Sequence, residues 1–138
     1  MKKLIPIVLL LLLAGVAYYF VQVRAKMRLD PQVEEFQSDA DNLITGLQQY
    51  KEFVGEYPKG SLVDISRALS GQTEKKVLIL ATSKNKKNAK GEIIDPWGTP
   101  LQFYFAQNGV MIRSAGPNKV FEDSRVRTAD DLYRTETK

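Results

Sequence analysis

The sequence predicts an α+β domain carried behind an apolar amino-terminal segment. Three observations predict it: a charge-free run from Leu4 to Val23, apolar side chains at helical spacing from Val33 to Val54, and two alternating strands flanking Asn108-Gly109. The chain accordingly divides into 1–29, the segment with its basic flanks, and 30–138, the α+β domain.

As a helix, the run Leu4–Val23 is about 30 Å long at ~1.5 Å per residue, the thickness of a bilayer's hydrocarbon core. Tyr18, Tyr19 and Phe20 stand near one end, where amphipathic rings suit the headgroup level, and Arg24, Lys26 and Arg28 follow. Lys2 and Lys3 mark the other end, so positive charge is nearly balanced and leaves the orientation open. A second reading is a cleaved secretory signal, with Gly15-Val16-Ala17 as the small-residue site. The apolar stretch continues past Ala17 to Val21, which is long for a signal core and favours a retained anchor.

Asp30-Pro31 reads as an N-cap with Pro at the first helical position, and Glu34 and Glu35 follow where the helix dipole favours acids. Val33, Phe36, Ala40, Leu43, Leu47, Tyr50 and Val54 then recur in steps of three and four, widened by Ile44. Such a stripe must be buried, either on the helix's own domain or in part against neighbouring copies. Gly55 and Pro58 end the helix. A shorter one is expected after Ser61, with Asp64 as capping-box partner and Leu62, Ile65 and Leu69 on one side until Gly71. Val77 to Leu80 is a brief apolar insert. Lys75 to Lys90 holds six lysines and no acid, the pattern of a solvated loop or of a surface for an acidic partner.

Asp95-Pro96-Trp97-Gly98-Thr99-Pro100 reads as a rigid turn that offers Trp97 to the core. Beyond it, Asn108-Gly109 as a two-residue loop makes Gln107 face Val110, Phe105 face Ile112 and Phe103 face Ser114. Leu101, Phe103, Phe105, Val110 and Ile112 then share one face, against which the long helix can pack. After Ser114 the chain turns, and oxygen-bearing side chains recur at Asn118, Glu122, Asp123, Ser124, Asp130 and Asp131. An irregular acidic loop can supply the oxygens of a hard cation, but Arg125 and Arg127 lie in the same loop and would pair with those acids or repel a metal.

The sequence has no His and no Cys, which removes imidazole bases, thiolate nucleophiles, disulfides and zinc sites of the nitrogen–sulfur kind. Remaining catalytic candidates are Ser83 preceding Lys84 and the pair Asp130 and Asp131; neighbours in sequence are not a catalytic geometry, and an enzyme is not expected. The net charge of +4 permits an anionic partner, and no nucleic-acid partner is expected.

Three strings carry a resemblance: Gly55-Glu56-Tyr57-Pro58, Gly91-Glu92-Ile93-Ile94 running through Asp95-Pro96-Trp97-Gly98-Thr99-Pro100, and Ser114-Ala115-Gly116-Pro117-Asn118 leading to Thr128-Ala129-Asp130-Asp131. From about Gln32 onward the chain resembles the major pseudopilin of type II secretion systems and related type IV pilin-like proteins. The resemblance implies a pilin-like fold, with a long helix first embedded in the membrane and then packed on a small antiparallel sheet. It implies a single-pass inner-membrane protein whose domain faces the periplasm, and partners that are other pilin-like subunits or further copies of itself, joined through the helix. It also implies calcium in the loop after the hairpin. Carried over, the ligands are Asn118, Asp130 and Asp131, with a carbonyl near Ser114, and Asp123 as a substitute. Asn118 stands where the family has Asp, Lys119 replaces a Gly, and 122–127 looks like an insertion. The family's prepilin peptidase motif, Gly-Phe-Thr-Leu-Ile-Glu or a close relative, is lacking: Gly15 is followed by Val16, and no acid precedes Asp30. Two functions are therefore expected as alternatives, a structural or accessory part of a secretion or pilus-like system, and an uncleaved membrane-tethered binding module on a pilin-like scaffold.

Overall fold

The computed structural model describes residues 12–22, 30–76, 79, 84–123, 125 and 129–137. The chain forms two compact units, Met1–Pro31 and Gln32–Lys138. In the first, 12–22 form helix α1, whose Leu12, Leu13, Val16 and Tyr18 to Val21 are between 52% and 67% exposed. No helix among the described residues is long and apolar enough to cross a membrane. The remainder of the expected span, and the basic residues at both of its ends, lie outside the described residues.

The second unit is α+β. Helix α2 covers Pro31–Val54, and its stripe is buried at Phe36, Ala40, Leu43, Ile44, Leu47 and Tyr50, with Val33 and Val54 half-buried at the ends. Gly55 at φ +93° stops it, its N–H still donating to the Lys51 carbonyl (2.7 Å). Helix α3, Leu62–Leu69, opens on a full capping box: Asp64 N donates to Ser61 Oγ (3.3 Å) and Ser61 N donates to Asp64 Oδ2 (2.8 Å). Ile65, Ala68 and Leu69 face inward, and Ile79, 3% exposed, donates its N–H back to Leu69.

Strands β1 (Gln102–Ala106), β2 (Gly109–Ser114) and β3 (Leu132–Thr137) form an antiparallel sheet in that order. The hairpin register differs from expectation. Phe105 pairs with Val110 and Phe103 with Ile112, and the loop is Gln107-Asn108 rather than Asn108-Gly109. The third strand, which the sequence did not signal, supplies the reason: Gly109 is drawn into β2, where it pairs with Ala106 on one side and Thr137 on the other. The slip moves partners by two, so the faces are unchanged. Phe103, Val110, Ile112 and Leu132 therefore meet the α2 and α3 side chains in one core that also holds Ile93 and Leu101. Arg134 of β3 grips Asp41 of α2 with two bonds, Nε to Oδ1 (2.6 Å) and a second nitrogen to Oδ2 (2.9 Å).

The turn before β1 is built around Asp95, 2% exposed. Its Oδ1 accepts from Trp97 N (3.0 Å) and Thr99 N (2.8 Å), while Oδ2 accepts from Ser114 Oγ (2.7 Å) at the end of β2. Trp97 is half-buried against the core. Ser114 Oγ accepts in turn from Gly116 N (3.0 Å), so one hydroxyl ties the first turn to the start of the next loop.

Candidate functional site

Between β2 and β3, Glu122 and Asp131 lie on the side of the sheet toward which Arg113 points. Alternation along β2 sends Val110, Ile112 and Ser114 inward and Arg113 outward. Arg113 is the sole charged residue between Leu101 and Ser114. Gly116, at φ +68°, starts a tight turn in which Lys119 N donates to its carbonyl (3.1 Å), and a side chain there would collide with the Asp130 carbonyl oxygen. Asn118 Oδ1 accepts from Val120 N (2.8 Å), while Asn118 N donates to Asp130 Oδ2 (3.1 Å). The outgoing and returning limbs of the loop are thus pinned together.

Carboxylate oxygens of Glu122, Asp130 and Asp131 lie within 4.8 Å of one another. Glu122 N donates to both oxygens of Asp131 (3.3 and 3.2 Å), and Asp130 N donates to Glu122 Oε2 (3.2 Å). The guanidinium of Arg113 reaches into this cluster. Its Nε donates to Asp131 Oδ2 (2.6 Å), and a terminal nitrogen donates to the Glu122 carbonyl and pairs with the same carboxylate. The Asp131 side chain is 2% exposed and that of Arg113 17%. Phe121 and Tyr133 place their ring centroids 5.2 and 5.4 Å from the guanidinium carbon, within cation–π range. Burial works to lower the Arg113 pKa, but hydrogen bonds with Tyr104 and Asp131 outweigh it and lift it above its ordinary value.

Of the residues that the sequence marks for this site, the structure brings Asp130 and Asp131 together. Asn118 contributes its backbone N–H to Asp130 and keeps its side chain for Val120. Ser114 directs its hydroxyl to Asp95. Asp123 points to Arg125, with which it makes three side-chain bonds of 2.6–3.1 Å. That ion pair, led by its hydrogen bonds, holds the Asp123 pKa below the usual carboxylate value. Glu122, one of the loop's oxygen-bearing side chains but no part of the ligand set that the resemblance implies, joins the cluster, and Arg113 is the member that the sequence reading leaves out. The signal for Arg113 was its isolation as one charge on an outward position of an otherwise neutral hairpin. Ser83 lies outside the described residues. In the lysine-rich stretch, Lys86 pairs with Glu35 of α2 (2.5 Å) and Lys87 donates to Ser70 Oγ (3.0 Å).

Calcium takes six to eight oxygens at short range. Here both Asp131 oxygens already accept hydrogen bonds, one oxygen each of Glu122 and Asp130 is held by a backbone N–H, and a guanidinium stands among the acids. Asp130 Oδ1 is buried and has no hydrogen-bond partner among the described residues, an oxygen of this cluster that a metal would satisfy. As arranged, the donor set falls short of a calcium shell. Comparison of the chain with protein-family models, with curated proteins and with solved structures gives no match.

Proposed function

We propose that the chain is a non-enzymatic, membrane-anchored structural subunit, a pseudopilin-like component of a type II secretion or type IV pilus-like system, with its α+β domain on the periplasmic side of the inner membrane. The observation that carries the reading is the contrast between the two units. The domain Gln32–Lys138 buries its apolar stripe within itself, whereas α1 leaves Leu12, Leu13, Val16 and Tyr18 to Val21 uncovered. Apolar surface of that kind must be covered by lipid or by like helices of other copies. The charge-free run Leu4–Val23, of which α1 is part, and the resemblance of three strings to the pseudopilin family support the same reading.

The native chain has no Cys, so single cysteines can be placed at exposed α2 positions such as Asn42 and Gln49 without background. Oxidative crosslinking in native membranes is expected to give a ladder of dimers and higher species. Monomers that resist carbonate extraction would replace the filament subunit by the tethered module. Release of the full-length chain into the soluble fraction would overturn both. Intact mass of the extracted protein separates retained, signal-cleaved and leader-cleaved forms.

A further inference from the structure

We propose that Arg113 is the resident cation of the loop between β2 and β3, taking the place that the family resemblance gives to calcium, so that the loop closes over the sheet without a metal. Three observations converge on this one side chain. Its guanidinium bonds to the Asp131 carboxylate and to the Glu122 carbonyl, one on each limb of the loop. A divalent ion joins loop limbs in the same manner, by drawing carboxylates and carbonyls from separate segments onto one positive centre. The planar fork supplies several donors in fixed directions, which an ammonium does not. Phe121 and Tyr133 flank the group, screening it from water and adding cation–π attraction. Finally, the charge is delivered by a strand: Arg113 pairs with Gln102 and Tyr133 across the sheet, so its backbone is held on both sides by the ladder.

The side chains that a metal would require have been turned to other uses. Asp123 is bound to Arg125, and the Asn118 side chain to the N–H of Val120. What calcium would still find is Asp130 Oδ1 and the acid excess of three carboxylates over one guanidinium. The experiment turns on whether that suffices. The inference concerns the loop alone and stands whether or not copies assemble.

Detergent-solubilised full-length protein is melted in millimolar calcium and in excess chelator, and titrated with terbium, with excitation transferred from Tyr133 beside the cluster. The expected result is the same midpoint in both buffers and no sensitised terbium emission. A rise of the midpoint with calcium, or saturable terbium emission abolished by D131N, overturns the proposal, because a ligand that binds the folded state must stabilise it. The second arm uses R113K, which keeps the charge and loses the fork, and so is expected to fold. Amide exchange across 118–123 should speed up by about tenfold or more while α2 amides keep their protection. Unchanged exchange in that segment overturns the proposal from the other side, since the loop would then hold without the guanidinium. R113Q, which removes the charge, should cost about 10 °C or more of thermal midpoint in either buffer, and a midpoint equal to the parent's overturns it as well.

Discussion

The turn at 95–99 and the loop at 115–131 each bury an aspartate side chain, and Ser114 joins them, yet the two carboxylates are held by different means. Asp95 meets no cation among the described residues. It accepts from two backbone N–H groups of its own turn and from one hydroxyl, all neutral donors, the first two within four residues. Asp131 is held by a guanidinium from 18 residues earlier and by the backbone of Glu122. A carboxylate satisfied locally makes a turn that forms by itself and then docks. A carboxylate satisfied across the fold makes a loop that exists only once the sheet is in place.

The comparison is broken most severely at Asp95. D95A leaves Trp97 N, Thr99 N and the Ser114 hydroxyl without their acceptor in a site excluded from water. At about 1–3 kcal/mol for each buried group left unpaired, the expected cost is about 3 kcal/mol or more. For a domain of this size that lowers the midpoint by roughly 12 °C or more, read by circular dichroism together with loss of the near-ultraviolet signal of Trp97. D95N keeps one carbonyl oxygen for the turn and should cost about 1 kcal/mol. If D95N is as damaging as D95A, the negative charge matters and the neutral-donor description of this turn is wrong.

Two glycines sharpen the contrast at the level of the backbone. Gly98, at φ +91°, has nothing within 4 Å of the position a Cβ would take, so G98A meets only the left-handed backbone penalty of about 1–2 kcal/mol. Gly116, at φ +68°, faces the Asp130 backbone, with the carbonyl carbon 3.0 Å and the side-chain Cγ 3.2 Å from such a Cβ. G116A therefore adds a collision with the returning limb and should cost about 1 kcal/mol more than G98A, the strain of forcing well-packed groups apart. Equal losses in parallel melts would show that the limbs of the loop can separate freely.

The same difference explains what could be read before the structure. The α2 stripe announced itself because seven apolar positions keep one period over a helix of 24 residues, and burial follows that period at Phe36, Ala40, Leu43, Leu47 and Tyr50. The capping box at Ser61 and Asp64 and the turn at Asp95-Pro96-Trp97-Gly98 are equally local: their backbone N–H partners lie within four residues. Strand β3 was illegible for a physical reason. Its inward positions are Leu132, Arg134 and Glu136, so alternation of apolar and polar residues never develops, and Arg134 earns its place by gripping Asp41, 93 residues away. Missing β3 also misplaced the hairpin register, since Thr137 is what draws Gly109 into the ladder. At the candidate site the acids were legible as a composition, but which of them converge depends on Arg113 and on the crossing of two loop limbs, neither of which has a sequence spacing.

The smallest expected effect lies within the loop itself, where an exposed ion pair stands beside the buried one. Arg125 and Asp123 have side chains 89% and 49% exposed, against 17% and 2% for Arg113 and Asp131. Hydrogen bonds from Arg125 lower the Asp123 pKa from its ordinary 3.8. A carboxylate depressed in the folded state contributes stability above its unfolded pKa and loses it as the pH falls through the folded one, so the window lies below about pH 4. R125A should move the Asp123 titration, followed by carboxyl carbon NMR, part of the way back up, the backbone N–H of residue 125 still donating to it, and leave the midpoint at neutral pH unchanged, because water already screens the pair. A loss at neutral pH comparable to that of R113Q would mean that the exposed pair also holds the loop, and would remove the distinction between a guanidinium that closes the fold and one that decorates it.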